Sequence, residues 1–182
     1  MAEKKKWFGE ARRNKLLSLL EERRAPQTGG TLADELNVSR QVIVQDVSLL
    51  KAKNIPILAT SQGYVLSQVD QSTMPYSRIV ACKHLPNKTE EELNLLVDQG
   101  IFVRDVKVEH PVYGDITASV MVSNRKEVKQ FLERISDTKA SYLSELTDGV
   151  HLHTLDAKSE EDLVDAVRVL EEAGFLLEED KG

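Results

Sequence analysis

Four histidines and a single cysteine are the side chains of this 182-residue chain with the most distinctive chemistry to offer. The histidines are not spread evenly: His84, His110, His151 and His153 all lie beyond Met74-Pro75. His151 and His153 stand two apart in Gly149-Val150-His151-Leu152-His153-Thr154. On a strand such residues share a face, and two adjacent imidazoles can chelate one Zn²⁺, Ni²⁺ or Fe²⁺. The same spacing suits a polar solvent face that uses histidine twice. With Val150 and Leu152 read as core residues, the pair is expected on the outer face of its sheet. His84 closes the segment Cys82-Lys83-His84-Leu85-Pro86 and is either a third ligand or a surface residue entering a turn. Glu92 offers an oxygen, but Thr89-Glu90-Glu91-Glu92 also spells a capping box in which Glu92 reaches back to the Thr89 amide; spacing alone favours the cap. His110 precedes Pro111, so its backbone is extended. It either lines a pocket, flanked by Tyr113, or stabilises a turn. Cys82, in Ile79-Val80-Ala81-Cys82, reads as a small buried hydrophobe. One cysteine supports neither a disulfide within the chain nor a cysteine-based zinc cage.

The elements that must position these residues follow from periodicity. Beyond residue 77 the pattern predicts a strand at 78–84, a helix at 90–99 ended by Gly100, strands at 101–110 and 115–122, a helix at 124–135, a strand at 149–155 and a helix at 159–173. The order is β-α-β-β-α-β-α, an α+β layer with helices on one face of a mainly antiparallel sheet. A different domain precedes it. Leu16, Leu19 and Leu20 mark a helix over 10–22, Leu32 and Leu36 a short one over 31–36, and Ile43, Val47 and Leu50 a third over 40–51. Segments 55–59 and 64–66 flank Ser61-Gln62-Gly63 as a hairpin. The polar stretch from Ser67 to Pro75 reads as a linker, placing a first domain at 1–70 and a second at 77–182.

Helix, turn, helix and hairpin describe a winged helix-turn-helix. Its recognition helix must bury one side and offer polar groups on the other. Ser39 caps residues 40–51. Arg40 projects near the start, and Gln41, Gln45 and Ser48 lie opposite the apolar stripe. Arginine can pair with guanine and glutamine with adenine, while Lys51, Lys53 and the hairpin tip reach phosphates. The competing interpretation is a solvated face on an ordinary three-helix domain. Charge favours DNA weakly: residues 1–70 hold 11 basic against 8 acidic side chains, and the remainder 13 against 22, which concentrates the attraction to phosphate in one segment.

No apolar run approaches the roughly 18 residues of a membrane span, and the basic start runs into Trp7-Phe8-Gly9-Glu10 instead of an apolar signal core. With one cysteine, a reducing cytoplasm is the expected compartment. Enzymatic classes fare poorly. The nine glycines are scattered, with no phosphate-cradling loop such as a ligase with an N-terminal winged helix would need, and no convincing general base accompanies the histidines for metal-assisted hydrolysis.

Lys83-His84 followed by Thr89-Glu90-Glu91-Glu92-Leu93, then Val108-Glu109-His110-Pro111-Val112-Tyr113-Gly114, then Leu146-Thr147-Asp148-Gly149-Val150-His151-Leu152-His153-Thr154 resembles the three-histidine (3H) domain. Behind a winged helix-turn-helix, it is similar to the niacin-responsive repressor family, NiaR or YrxA. The resemblance implies a homodimer that represses genes of NAD biosynthesis and niacin salvage or uptake, with nicotinic acid as co-repressor. It implies a sensor domain with the open-faced sandwich fold of the HPr phosphocarrier. It further implies a divalent metal (nickel, zinc or iron) held by His84, Glu92, His151 and His153, with His110 and Tyr113 near the effector. The same residues would also serve a metal-responsive repressor with no organic effector.

Overall fold

The computed structural model describes residues 7–66 and 74–177. The chain divides into two compact units, 1–69 and 70–182. Most of the expected linker, 67–73, lies outside the described residues.

The first unit is built by three helices and a hairpin: α1 (Gly9–Arg23), α2 (Gly29–Leu36), α3 (Arg40–Ala52), β1 (Ile57–Thr60) and β2 (Gly63–Leu66). The Thr28 hydroxyl caps α2 by accepting from the Thr31 amide, and Ser39 caps α3 by accepting from Val42; each such cap is worth about 1 kcal/mol. Asn37 takes the left-handed conformation that ends α2, which asparagine tolerates better than most residues. Leu16, Leu19 and Leu20 of α1, Leu32 and Leu36 of α2, Ile43, Val47 and Leu50 of α3, and Ile57 of β1 form one core, each fully buried aliphatic contributing roughly 1.5–3 kcal/mol. The hairpin is tied back to the helices by two backbone hydrogen bonds between Gln27 and Tyr64, both 2.8 Å. That close approach requires glycine at Gly63, where a Cβ would lie 2.4 Å from the Gln27 carbonyl oxygen.

The second unit runs β3 (Tyr76–Lys83), α4 (Thr89–Asp98), β4 (Phe102–His110), β5 (Gly114–Val122), α5 (Arg125–Thr138), β6 (Val150–Ala157) and α6 (Glu160–Glu172). This is the β-α-β-β-α-β-α order that the periodicity predicts. The four strands form one antiparallel sheet in the order β3-β6-β4-β5. Leu93, Leu96 and Val97 of α4, Val128 of α5, and Leu163, Ala166 and Leu170 of α6 pack on one face of it against Val80, Cys82, Val103, Val120, Leu155 and Ala157. The other face leaves Ile79 and Leu152 to solvent. Because β6 is flanked on both sides, a side chain on its helix-covered face is shut away from water.

Candidate functional site

His151 and His153 occupy that covered face, only 3% and 4% exposed. This corrects the outward placement expected from sequence: Leu152 is the residue turned to solvent, at 37%. The reason is parity, because Leu155 and Ala157 stand in step with the two histidines and carry the core. A single slip of the alternation moves every side chain to the other face, so the pair follows the apolar end of its own strand.

The capping box does not form. Thr89 is the first residue of α4, its cap position is held by Lys88, and no side chain closes the helix end. Glu92 instead turns inward and is fully buried. Its carboxylate lies 2.7 Å from His84 Nε2, 3.2 Å from His151 Nε2 and 3.4 Å from His153 Nε2. His84, whose side chain is 5% exposed, therefore joins the cluster and is not a surface turn residue.

Each ring is oriented from behind. The Nδ1 atoms of His84, His151 and His153 donate to the backbone carbonyls of Leu85 (2.9 Å), Gly149 (2.8 Å) and Asp105 (2.7 Å). A carbonyl oxygen only accepts, so each Nδ1 carries its proton, and the Nε2 of a neutral ring turns its lone pair on Glu92. Three imidazoles locked in this tautomer by backbone acceptors, with one carboxylate at their focus, match the donor set and the outer-shell support of a divalent transition-metal site. These residues fit a metal.

Without a cation, the charges respond to one another. Burial would raise the Glu92 carboxyl, but the imidazoles of His153, His151 and His84 outweigh it and hold the group well below the usual carboxylate range. Burial would likewise lower His84 and His153, yet the Glu92 carboxylate pushes both above the ordinary imidazole value.

Two neighbours escaped sequence reasoning. Gly149 adopts φ +90°, and a Cβ there would lie 2.3 Å from the His84 carbonyl oxygen. Its own carbonyl accepts from both the His84 amide (3.3 Å) and His151 Nδ1 (2.8 Å), so one glycine couples two candidate ligands. Cys82 is buried, as expected, but pairs across the sheet with His151. Its sulfur, a Glu92 oxygen and a His151 nitrogen all lie within 4.8 Å of one another. Burial, then the Glu92 charge, push this thiol up. The signal was its step with Val80 in β3, which puts it on the covered face.

A pocket of about 260 Å³ opens beside the cluster. Glu92, His151 and His153 are among its lining residues; Leu93, Val106, Val120, Phe131, Ile135 and Leu143 supply apolar wall; Thr89, Ser119, Ser141, Tyr142 and Ser144 supply hydroxyls. Burial, then Glu145 and Glu90, raise the Tyr142 phenol, which keeps it a donor. His110 and Tyr113 are not among the lining residues. They sit at the β4–β5 turn, their rings 5.0 Å apart, where His110 Nδ1 accepts from the amides of Val112 (3.1 Å) and Tyr113 (3.2 Å).

In the first unit, Ser39, Arg40, Gln41, Gln45, Ser48, Lys51 and Lys53 are all exposed along α3 and its C-terminal end. The Ser39 hydroxyl is engaged in the cap, and that of Ser48 donates to the Val44 carbonyl at 2.9 Å. The opposite side of α3 buries Ile43, Val47 and Leu50 together with Asp46, 1% exposed, which Arg12 meets at 2.5 and 3.1 Å. Among the described residues, no helix is long and apolar enough to cross a membrane.

Residues 77–179 match the 3H domain family, and residues 12–65 match a helix-turn-helix domain family. Over 180 residues, 98% of this chain and all of the relative, the sequence is 57% identical to "Transcription repressor NadR" of Bacillus subtilis (strain 168). Over 164 residues, 90% of this chain and 92% of the relative, it is 43% identical to "Probable transcription repressor NiaR" of Thermotoga maritima. A helix-turn-helix unit joined to a 3H unit, matched along almost the whole chain, places the protein in the NiaR family of transcription repressors, a family of DNA-binding regulators and not of enzymes.

Proposed function

We propose that this chain is a homodimeric repressor of NAD biosynthesis and niacin salvage or uptake genes, working on operator DNA in the cytoplasm, with nicotinic acid as its co-repressor. The observation that carries the sensor half is the convergence of three Nε2 atoms and one carboxylate beside a ring-sized, largely apolar pocket. His84, Glu92, His151 and His153 would hold the divalent metal, nickel, zinc or iron. When bound, it supplies a positive charge and open coordination positions for a pyridine nitrogen or a carboxylate.

The chain's own groups do the rest. Val106, Phe131, Ile135 and Leu143 would offer apolar wall to a flat ring, and Thr89, Tyr142 and Ser144 would offer hydroxyls to a polar substituent. Among the described residues no lysine or arginine lines the pocket, so in this reading a carboxylate in it is met by hydroxyls and by the metal. His110 and Tyr113, at the β4–β5 turn, are kept in this reading as residues near the effector, and the dimer is part of the proposal. Arg40, Gln41, Gln45 and Ser48 read base edges, while Ser39, Lys51 and Lys53 hold phosphates. Nicotinic acid acts as co-repressor only if it binds the DNA-competent arrangement of the dimer better than the alternative.

Calorimetric titration of nicotinic acid into metal-stripped and metal-loaded protein, with nicotinamide as control, tests this. Metal-dependent binding of the acid, lost in His151→Ala and His153→Ala together with acid-dependent operator binding, is the expected result. Full operator affinity with metal alone would replace the reading by a metal-responsive repressor without an organic effector.

A further inference from the structure

A buried cysteine is ordinarily a small hydrophobe, and an alanine or valine would fill the same space in a sheet. Burial does not explain the company that Cys82 keeps. It lies directly across from His151 in the β3–β6 register and on the same helix-covered face. Its sulfur neighbours the Glu92 carboxylate, the group at which three imidazole nitrogens already converge. Sulfur, oxygen and nitrogen donors of Cys82, Glu92 and His151 all lie within 4.8 Å of one another. Bonds of about 2.0–2.3 Å from one ion to nitrogen, oxygen and sulfur set neighbouring ligands of a tetrahedral centre about 3.3–3.8 Å apart, so the three donors must draw inward by about 1 Å or less for one cation to touch all three.

We propose that Cys82 is a sulfur ligand of this centre, which makes it a mixed histidine–carboxylate–thiolate site. The inference rests on the reading of the cluster as a metal centre and adds a fifth donor to it. When the cation enters, the thiol proton leaves to solvent and the freed sulfur lone pair forms the new bond; no oxidant or reductant is involved. The cation's own charge reverses the penalty that a buried thiolate would otherwise meet beside a carboxylate. A soft sulfur donor among imidazoles selects zinc, cobalt, nickel or copper and works against the hard ions magnesium, calcium and manganese, which prefer oxygen.

Cobalt(II) titration of the metal-stripped full chain is the test, with absorbance read in both the visible and the near ultraviolet. The expected result is an intense near-ultraviolet sulfur-to-cobalt charge-transfer band in the unmodified protein, reaching its limit at one equivalent. In Cys82→Ser that band is lost while the visible ligand-field bands remain. Zinc affinity of the variant falls by about tenfold or more, on the scale of other losses around a metal site. Ligand-field bands with no sulfur band in the unmodified protein would overturn the role of Cys82 and leave the histidine–glutamate centre standing. No cobalt signal at all would overturn both. The cadmium NMR resonance of the unmodified protein gives the same answer without any variant, because sulfur ligation moves it strongly downfield; a resonance in the nitrogen–oxygen range refutes the proposal.

Discussion

Replacing Glu92 by glutamine removes one charge from the centre and almost no volume. The carboxylate is fully buried and within 3.4 Å of three imidazole nitrogens. In the metal-stripped protein, removing one partner of a buried ion pair costs roughly 3–5 kcal/mol when the other charge is left stranded. Here His84 and His153 can shed their protons and become neutral, so the expected loss lies at or below the lower end of that range. The metal-loaded protein is the sharper test. A ligand that binds only the folded state at 100 times its Kd stabilises by about 2.7 kcal/mol. Losing even an outer-shell partner typically weakens metal binding 10- to 100-fold, and Glu92 touches the centre itself. At the same free metal concentration a 100-fold loss leaves only about 0.4 kcal/mol. Urea unfolding of both proteins, stripped and zinc-loaded, measures all four stabilities. If zinc raises the midpoint of Glu92→Gln as much as that of the unmodified protein, Glu92 is not a ligand and the reasoning fails.

Further outcomes follow from the same geometry. Gly149→Ala places a Cβ against the His84 carbonyl at φ +90°; a backbone strain of about 1–3 kcal/mol should shift His84 and His151 and weaken zinc binding about 10-fold or more, and unchanged affinity by competition titration would refute the positioning role. The pH dependence has a defined sign. Glu92, held below its ordinary value of 4.5, contributes stability above that value and loses it as pH falls through its depressed folded value. His84 and His153, pushed above their ordinary value of 6.5, contribute below it and lose it as pH rises through their raised folded values. The stripped protein should therefore gain most from the cluster between 4.5 and 6.5, and a stability profile flat across both limbs would contradict the coupling. Arg12→Ala leaves Asp46 buried with, among the described residues, Arg13 at 3.7 Å to answer it; denaturant unfolding should show the first unit weakened toward the lower end of roughly 3–5 kcal/mol. Gln41→Ala should cost about 1–3 kcal/mol at one base position of the operator, read from binding to an operator and its single-base variants; equal weakening on every sequence would make Gln41 a backbone contact.

Local chemistry and periodicity determine much of this protein from the sequence alone. The Ser39 cap, the Ile43–Val47–Leu50 stripe and the glycine-bearing hairpin specify the winged helix-turn-helix, because each depends on neighbours a few residues away. The same holds for the β-α-β-β-α-β-α order and for the three histidine motifs that mark the 3H domain. What spacing could not decide was direction. His151 and His153 share a face on any strand, but which face depends on β6 lying between β3 and β4 beneath three helices. Glu92 fits the spacing of a helix cap, and only the tertiary fold turns it inward to balance three imidazoles, one just after β3 and two from β6. Cys82 and Gly149 gained their partners in the same way, through pairings with residues 69 and 65 positions distant in the chain. Metal donors converge through long-range strand pairing, and a one-residue change of parity inverts them; that is why the motif was legible in the sequence while the geometry of the site belonged to the fold.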